Sequence, residues 1–219
     1  MPTTEIQRGV CVEAAGARLA GEIHVPPDPR GFVLFASNRD LMRLDRRQVD
    51  LGRALNRRGL GTLLFDLDET TDDLDLEGDL EVLTERLLEA TEWSLEQRGV
   101  NDLPIGYVGS GLGSAAALVA AAALGPRICA VAAHGGRPDL AGEGLGKVQA
   151  PTLLVFGGDD PLEAQAAVAA AGKLRCPQRI RNLGSDGGSA GRWTATFAIC
   201  RWMEWHLGFP ELPYSQPGS

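Results

Sequence analysis

Short apolar runs alternate with longer segments in which leucines recur at helical spacing, and this alternation constrains the fold more than any other feature of the sequence. Two of the runs open the chain in succession, joined by a turn at Gly16 and ended by Pro26-Pro27. The predicted strands are Gln7–Glu13, Ala17–Val25, Phe32–Ala36, Leu60–Asp66, Ile105–Gly109, Ile128–Ala133, Thr152–Phe156 and Gln178–Asn182. This order predicts an α/β protein with a mostly parallel central sheet of about eight strands, covered by helices on both faces.

The segments between the later strands have the length and periodicity of helices. The predicted helices contain Leu44 to Leu55 (ending at Gly59), Leu80 to Leu95 (ending near Gly99), Ser114–Leu124, Leu162–Ala171 and Trp193–Leu207. With 219 residues, 44% of them hydrophobic, the chain can build one large core. We therefore expect residues 1–209 to form a single domain and residues 210–219, rich in Pro, Gly and Ser, to form a flexible tail.

Charge and cysteine content exclude several classes of function. A formal net charge of −8 argues against nucleic acid or an anionic membrane as the main partner, because both require a positive surface. The four cysteines are widely spaced, without a C-x-x-C pair, which indicates reduced thiols and not a disulfide framework or a zinc site. The first ten residues carry charges and no apolar core typical of a secretion signal. We predict a soluble cytoplasmic protein with no metal and no cofactor.

One strand–turn–helix junction has the pattern of a catalytic motif. The predicted strand ending at Gly109 leads through Ser110, Gly111, Leu112 and Gly113 into an alanine-rich helix. This context is typical of the nucleophile elbow G-x-S-x-G, in which the central serine occupies a strained turn. The outer glycines are present, but the central position is Gly111. We predict a positive φ at Gly111, which glycine adopts without steric cost.

Three stretches of the sequence resemble the dienelactone hydrolase-like branch of the α/β-hydrolases. They are the strand–elbow–helix from Leu103 to Leu118, the Gly-Gly-Arg-Pro-Asp-Leu-Ala run at 135–141, and the strand and acidic turn from Ala150 to Pro161. With the order of elements, the resemblance covers about Gln7 to Leu207. It implies an α/β-hydrolase fold, activity on small esters or lactones, and a catalytic acid at Asp160, which matches the family's Gly-x-x-Asp motif.

The other catalytic positions depart from the family pattern. Where the family places an oxyanion-forming His-Gly after the third strand, this chain has Ser37-Asn38, and at the position of the catalytic histidine it has Gly187. The triad runs nucleophile, acid, histidine along the chain, yet the only histidine after Asp160 is His206, deep in the last helix. Without nucleophile and base, most of the acceleration of such an enzyme is lost. We therefore expect a protein that does not act as a serine hydrolase.

Three hypotheses for function stay open. The chain keeps the fold and its pocket to bind a small molecule or a protein, it is an enzyme of altered chemistry, or it is a purely structural subunit. An altered site would use Ser110 as a displaced nucleophile, with His134 as base and Asp160 as acid. Ligands of doubly wound sheets bind at the carboxyl ends of the strands. The candidate pocket residues there are Asn38, Gly111, Leu112, His134 and Asp186.

Two charged segments and several isolated residues have a simpler interpretation. Asp66 to Glu81 contains nine acids and no base, without the spacing of a calcium loop, so a solvated or lid-like loop is expected. Seven arginines between Arg39 and Arg58 could form ion pairs with this acidic segment. The pairs could form within one molecule or between two copies, in which case the protein would be a homo-oligomer. We expect structural roles for the remaining chemically active side chains, namely His24, His206 and Cys129. If Asp160 keeps the family position, its carboxylate should lie near the Asp186–Gly187 turn and accept backbone N–H groups or water.

Overall fold

The computed structural model describes residues 4–37, 46–65, 76–157, 160–184 and 189–208. Its strands are β1 (Ile6–Ala14), β2 (Ala17–Val25), β3 (Gly31–Ser37), β4 (Leu60–Phe65), β5 (Ile105–Ser110), β6 (Ile128–His134), β7 (Thr152–Phe156) and β8 (Gln178–Asn182). Its helices are α1 (Arg46–Asn56), α2 (Leu76–Leu95), α3 (Gly113–Leu124), α4 (Pro161–Lys173) and α5 (Ser189–Gly208), with 3-10 segments at Gly125–Arg127 and Pro138–Lys147.

All eight strands form one sheet in the order β1-β2-β4-β3-β5-β6-β7-β8. The pairs β1·β2 and β2·β4 are antiparallel, and every other pair is parallel. Helices that connect parallel strands must cross a face of the sheet, so both faces are covered. The predicted fold class is confirmed.

Two apolar layers pack on the two faces, and the strands supply them by alternation. In β3, Phe32 and Leu34 point into the layer beneath α2, α3 and α4, whereas Val33 and Phe35 point into the layer beneath α1 and α5. Successive side chains of a strand point to opposite faces, so a strand buried on both sides is apolar throughout. All seven residues of β3 are buried, down to Ser37 at its carboxyl end.

Two helices begin earlier than their periodicity predicted. Helix α2 starts at Leu76 and α5 at Ser189, so the last part of the acidic segment is helix and not loop. Asp79 and Glu81 lie near the amino end of α2, where negative charge stabilises a helix. The short 3-10 segment Pro138–Lys147 was not predicted, because it has glycines where an apolar period would be needed. The predicted tail 210–219 lies outside the described residues.

Candidate functional site at the carboxyl ends of the strands

The elbow keeps the backbone geometry of the family motif. Strand β5 ends at Ser110, Gly111 has φ 60°, and helix α3 begins at Gly113. The predicted positive φ at Gly111 is confirmed. Leu112, which is 8% exposed, precedes the helix with φ −68° and accepts the amide of Ala115 through its carbonyl at 3.0 Å.

Close backbone packing explains why the outer glycines of the motif are present. A Cβ on Gly109 would lie 2.5 Å from the carbonyl oxygen of Gly113 and 2.7 Å from the Cα of Ser114. A Cβ on Gly113 would overlap the carbonyl oxygen of Ala36 and lie 2.6 Å from its carbonyl carbon. The elbow can fold this tightly against β3 only without those side chains. Both glycines therefore serve the fold, independently of any catalysis at Gly111.

The loop after β6 covers the elbow from the other side. Gly135 and Gly136 have φ 67° and 74°, and the Arg137 amide donates to the Gly111 carbonyl at 3.3 Å. A Cβ on Gly136 would lie 2.5 Å from the Cα of Gly111. The carboxylate of Glu163, in the first turn of α4, accepts the Gly136 amide at 3.0 Å. Sequence reasoning missed this role of Glu163, whose partner lies 27 residues away.

Serine and histidine side chains form a row across the sheet beside the elbow. The Cα of Ser110 pairs with Ser37 of β3 on one side and with His134 of β6 on the other. The Ser110 hydroxyl donates to Ser37 Oγ at 3.4 Å and accepts from Gln48 Nε2, on α1, at 3.2 Å. These two hydrogen bonds turn the Ser110 hydroxyl toward β3 and α1. His134, the last residue of β6, is half-buried.

Asp160, the predicted acid, lies at the amino end of α4. Its Oδ1 accepts the Leu162 amide at 2.8 Å, and its side chain is exposed. This is an N-cap hydrogen bond, and a backbone N–H satisfies the carboxylate as expected. Asp186 and Gly187 lie outside the described residues, so the proximity of Asp160 to that turn stays a prediction. The candidate pocket residue Asn38 also lies outside them.

A rigid ion pair lies next to the elbow on the loop after β6. The Arg137 guanidinium donates to both carboxylate oxygens of Asp139, at 2.9 and 2.8 Å, and this hydrogen bonding lowers the pKa of Asp139 below its ordinary value. A forked arrangement of this kind fixes the plane of the guanidinium. The pair lies within the loop whose Arg137 amide donates to the Gly111 carbonyl.

The other residues singled out in the sequence lie away from the rim. His24 Nε2 lies 3.1 Å from Glu5 Oε1 on the antiparallel side of the sheet. The ring of His206 packs edge-on against Trp202 with centroids 4.4 Å apart, and burial lowers its pKa to about 4. Burial raises the pKa of the Cys129 thiol. Within the described residues, no three His, Cys, Asp or Glu side chains converge as metal ligands would, and no helix is long and apolar enough to cross a membrane.

At the elbow, a tight turn with positive φ at Gly111 leads into the amino end of α3. Asp160 follows β7 as the N-cap of α4. Gly111 itself has no side chain that could attack a carbonyl carbon, so nucleophilic chemistry at this turn would need another residue.

Relatives of this chain were found by sequence and by structure, but not among family models. No family model matches the chain. It is 37% identical over 209 residues to proteins from two strains of Mycobacterium tuberculosis provisionally named phosphoribosyl transferases, covering 92% of the chain and 47% of theirs. The chain thus spans about half the length of these curated relatives.

Solved structures give the same architecture. A dienelactone hydrolase from Anabaena variabilis superposes with a TM-score of 0.83 and 30% identity, covering 94% of this chain and all of that one. Est1E from Butyrivibrio proteoclasticus superposes with a TM-score of 0.73 at 16% identity, covering 89% of this chain and 97% of Est1E, and shows the fold alone. The chain belongs to the α/β-hydrolase superfamily, in its dienelactone hydrolase-like branch.

Proposed function

We propose that this protein is a non-hydrolytic member of its family, which uses the rim at the carboxyl ends of its strands to bind a small molecule or a protein. The observation that carries the proposal is the backbone of Gly111. Its φ of 60° preserves the turn at the nucleophile position, while the nucleophile itself is absent. Selection for hydrolysis would require a side chain there, whereas selection for a shaped pocket would not.

The residues around Gly111 support binding without turnover. Both outer glycines keep the close packing described above, and Glu163 holds the loop of Gly135 and Gly136 over the elbow. In the proposed site, Leu112 offers its amide and His134 lies at the end of the neighbouring strand β6; Asn38 and Asp186, which the sequence predicts for the same pocket, lie outside the described residues. Asp160 takes the position of the family acid in this proposal, and its Oδ1 accepts the Leu162 amide as the N-cap of α4.

A hydrolase that uses Ser110 is the second candidate, and one observation favours it. Ser110 and His134 are direct neighbours in the ladder between β5 and β6, on the same face of the sheet. The hydrogen bonds of Ser110 to Ser37 and Gln48 count against this candidate, because a nucleophilic hydroxyl should donate to its base.

Ester hydrolysis and covalent labelling distinguish the two candidates. We expect the purified protein neither to hydrolyse p-nitrophenyl acetate or small lactones above background nor to react with a fluorophosphonate. Activated esters need little catalytic assistance, so they give weak enzymes the best chance of detection. Labelling that disappears in Ser110→Ala but persists in the neighbouring Ser37→Ala would refute the proposal and identify Ser110 as a nucleophile.

Restoring the missing groups tests whether only the triad was lost. We expect Gly111→Ser and Gly187→His to be inactive singly, because triad members act as a unit. Esterase activity in the double variant would show that the rest of the machinery remains, whereas a silent double variant would show that the oxyanion loop at Ser37-Asn38 has also been lost. Circular dichroism should first show that Gly111→Ser is folded, since serine is strained at a φ of 60°. Binding can be followed separately: a small lactone such as δ-valerolactone should shift the amide resonances of Gly111 and Leu112 without being consumed.

The name of the curated relatives suggests a second component. We propose that this chain corresponds to the hydrolase-fold half of such proteins and that phosphoribosyl transfer belongs to the half that it does not match. The proposal is supported by the described chain from β1 to α5, which forms one hydrolase-type sheet with its helices. Incubation with phosphoribosyl diphosphate and nucleobases should release no diphosphate.

We further infer a cytoplasmic location, because all four cysteines are free thiols, which suits a reducing compartment.

A further inference from the structure

Large apolar side chains are exposed mainly at one end of the sheet. Among the described residues, four of the five lie on α4, β8 and α5, at the end where β8 is the last strand. They are Leu162, Val168, Ile180 and Phe197, and the fifth, Val82, lies on α2. Phe197 lies on α5, which covers the opposite face of the sheet from α4, so only Leu162 and Val168 share one helix. Grouped exposed apolar residues mark interaction surfaces, whereas single ones are ordinary.

Between Leu162 and Gly172 the outer face of α4 carries no charge. Leu162 is 65% exposed and Val168 59% exposed, and the residues that share their face are Gln165, Ala169 and Gly172. The opposite face, with Ala166, Ala167 and Ala170, is buried against the sheet. A surface helix ordinarily places charged and polar residues on its outer face. Helix α4 therefore has apolar or small residues both toward the core and toward solvent.

We propose that this face packs against a second copy of the chain, with the two α4 helices antiparallel about a two-fold axis that crosses the outer face between Gln165 and Ala169. The shape of the face supports this arrangement. Leu162 projects near the amino end, and Gly172 lies near the carboxyl end, where an added Cβ would meet nothing within 4 Å. Antiparallel packing places Leu162 of each copy over Gly172 of the other, because a two-fold axis makes every contact twice.

The charges at the ends of α4 select the antiparallel direction. Asp160 caps the amino end and Lys173 ends the helix, and both side chains are exposed. Antiparallel helices bring Asp160 of one copy beside Lys173 of the other at both ends, and their helix dipoles also oppose one another favourably. A parallel arrangement would instead place like charges together.

The edge of β8 is a poorer centre for the same contact. Antiparallel pairing of β8 with its copy about Ile180 would place Arg179 opposite Arg181 on one face of the extended sheet. Like charges directly opposite one another destabilise a strand pair, and charged residues on an edge strand ordinarily prevent such pairing. The interface therefore centres on α4, with β8 beside it.

Sedimentation velocity over a wide range of protein concentration tests the proposal. The mass should rise from that of a 23.2 kDa monomer toward twice that value, and the dissociation constant should rise with salt. Val168→Glu brings two carboxylates near the axis, so we expect at least about a tenfold weaker association, equivalent to about 1.4 kcal/mol. Val82→Glu, a matched substitution of the exposed valine on α2, should leave the association unchanged.

Exchanging the two complementary residues makes the test specific to this geometry. Leu162→Ala and Gly172→Leu should each weaken association. The double variant should recover it, because the leucine then projects from position 172 and packs over the small residue at position 162 of the other copy. Neither position contacts the core, so the monomer should stay folded. A monomer at every concentration, or a dimer that the α4 substitutions leave intact, would overturn the proposal and leave this face to a different partner.

Discussion

Replacing Gly113 with alanine should destabilise the protein, because α3 begins in direct contact with the end of β3. The added Cβ would lie 2.6 Å from the carbonyl carbon of Ala36 and 3.1 Å from the amide nitrogen of Ser37. Carbon atoms pack favourably at about 3.5–4.0 Å, so one backbone must move by roughly 1 Å. Neither partner is a side chain that could rotate away, and overpacking costs about 1–3 kcal/mol.

A second helical glycine provides the control. Gly172, in the last turn of α4, has no atom within 4 Å of an added Cβ. Alanine there should stabilise the protein by about 0.5–1 kcal/mol, because it is the better helix former. At Gly113 the added Cβ overlaps both atoms of the Ala36 carbonyl, so we take the upper end of the overpacking cost, about 3 kcal/mol. The gain in helix propensity offsets about 1 kcal/mol of it, which leaves a net loss of about 2 kcal/mol. The two glycine-to-alanine substitutions should thus change stability in opposite directions.

Urea denaturation of dilute protein, followed by circular dichroism, measures both effects. With an m value of about 2 kcal/mol per M, Gly113→Ala should lower the midpoint by about 1 M, and Gly172→Ala should raise it. A Gly113→Ala midpoint equal to that of the parent would refute the close approach of α3 to β3. It would also remove the structural explanation for the outer glycines of the elbow.

Three further predictions concern buried and bridging groups. Burial lowers the pKa of His206 to about 4 from 6.5, so the neutral ring's contribution to the free energy of unfolding should be present above pH 6.5 and be lost between pH 6.5 and 4. His206→Phe should flatten that part of a stability–pH profile. Tyr107→Phe removes a hydroxyl 2.6 Å from Thr91 Oγ1 in the core and should lower the free energy of unfolding by about 1 kcal/mol. Glu163→Ala removes the acceptor of the Gly136 amide, whose hydrogen exchange should accelerate, whereas unchanged exchange would contradict the proposed hold on the loop.

Local features of the sequence determined the elements and the elbow. Alternating and helical periodicities are properties of neighbouring residues, so β7 and β8 have the predicted bounds Thr152–Phe156 and Gln178–Asn182. The turn at Gly111 was likewise predictable, because a strand, a glycine-rich turn and a helix follow one another within a few residues. The early start of α5 was not, since its first residues Ser189, Ala190 and Gly191 lack an apolar period. The start of α2 at Leu76, four residues before Leu80, was missed because Gly78 and the acids beside it are typical of a loop.

Only the tertiary structure decided which of these elements meet. The insertion of β4 between β2 and β3 depends on how the connections cross the sheet, which no local pattern records. The hydrogen bond from Gln48 to Ser110 joins residues 62 positions apart, and its geometry turned Ser110 toward α1 and not toward His134. Such contacts arise because parallel strands bring all their carboxyl ends to one edge. The sequence therefore placed Ser110, Gly111 and His134 at the ends of their strands, and the packing of the sheet and helices decided how these residues face one another.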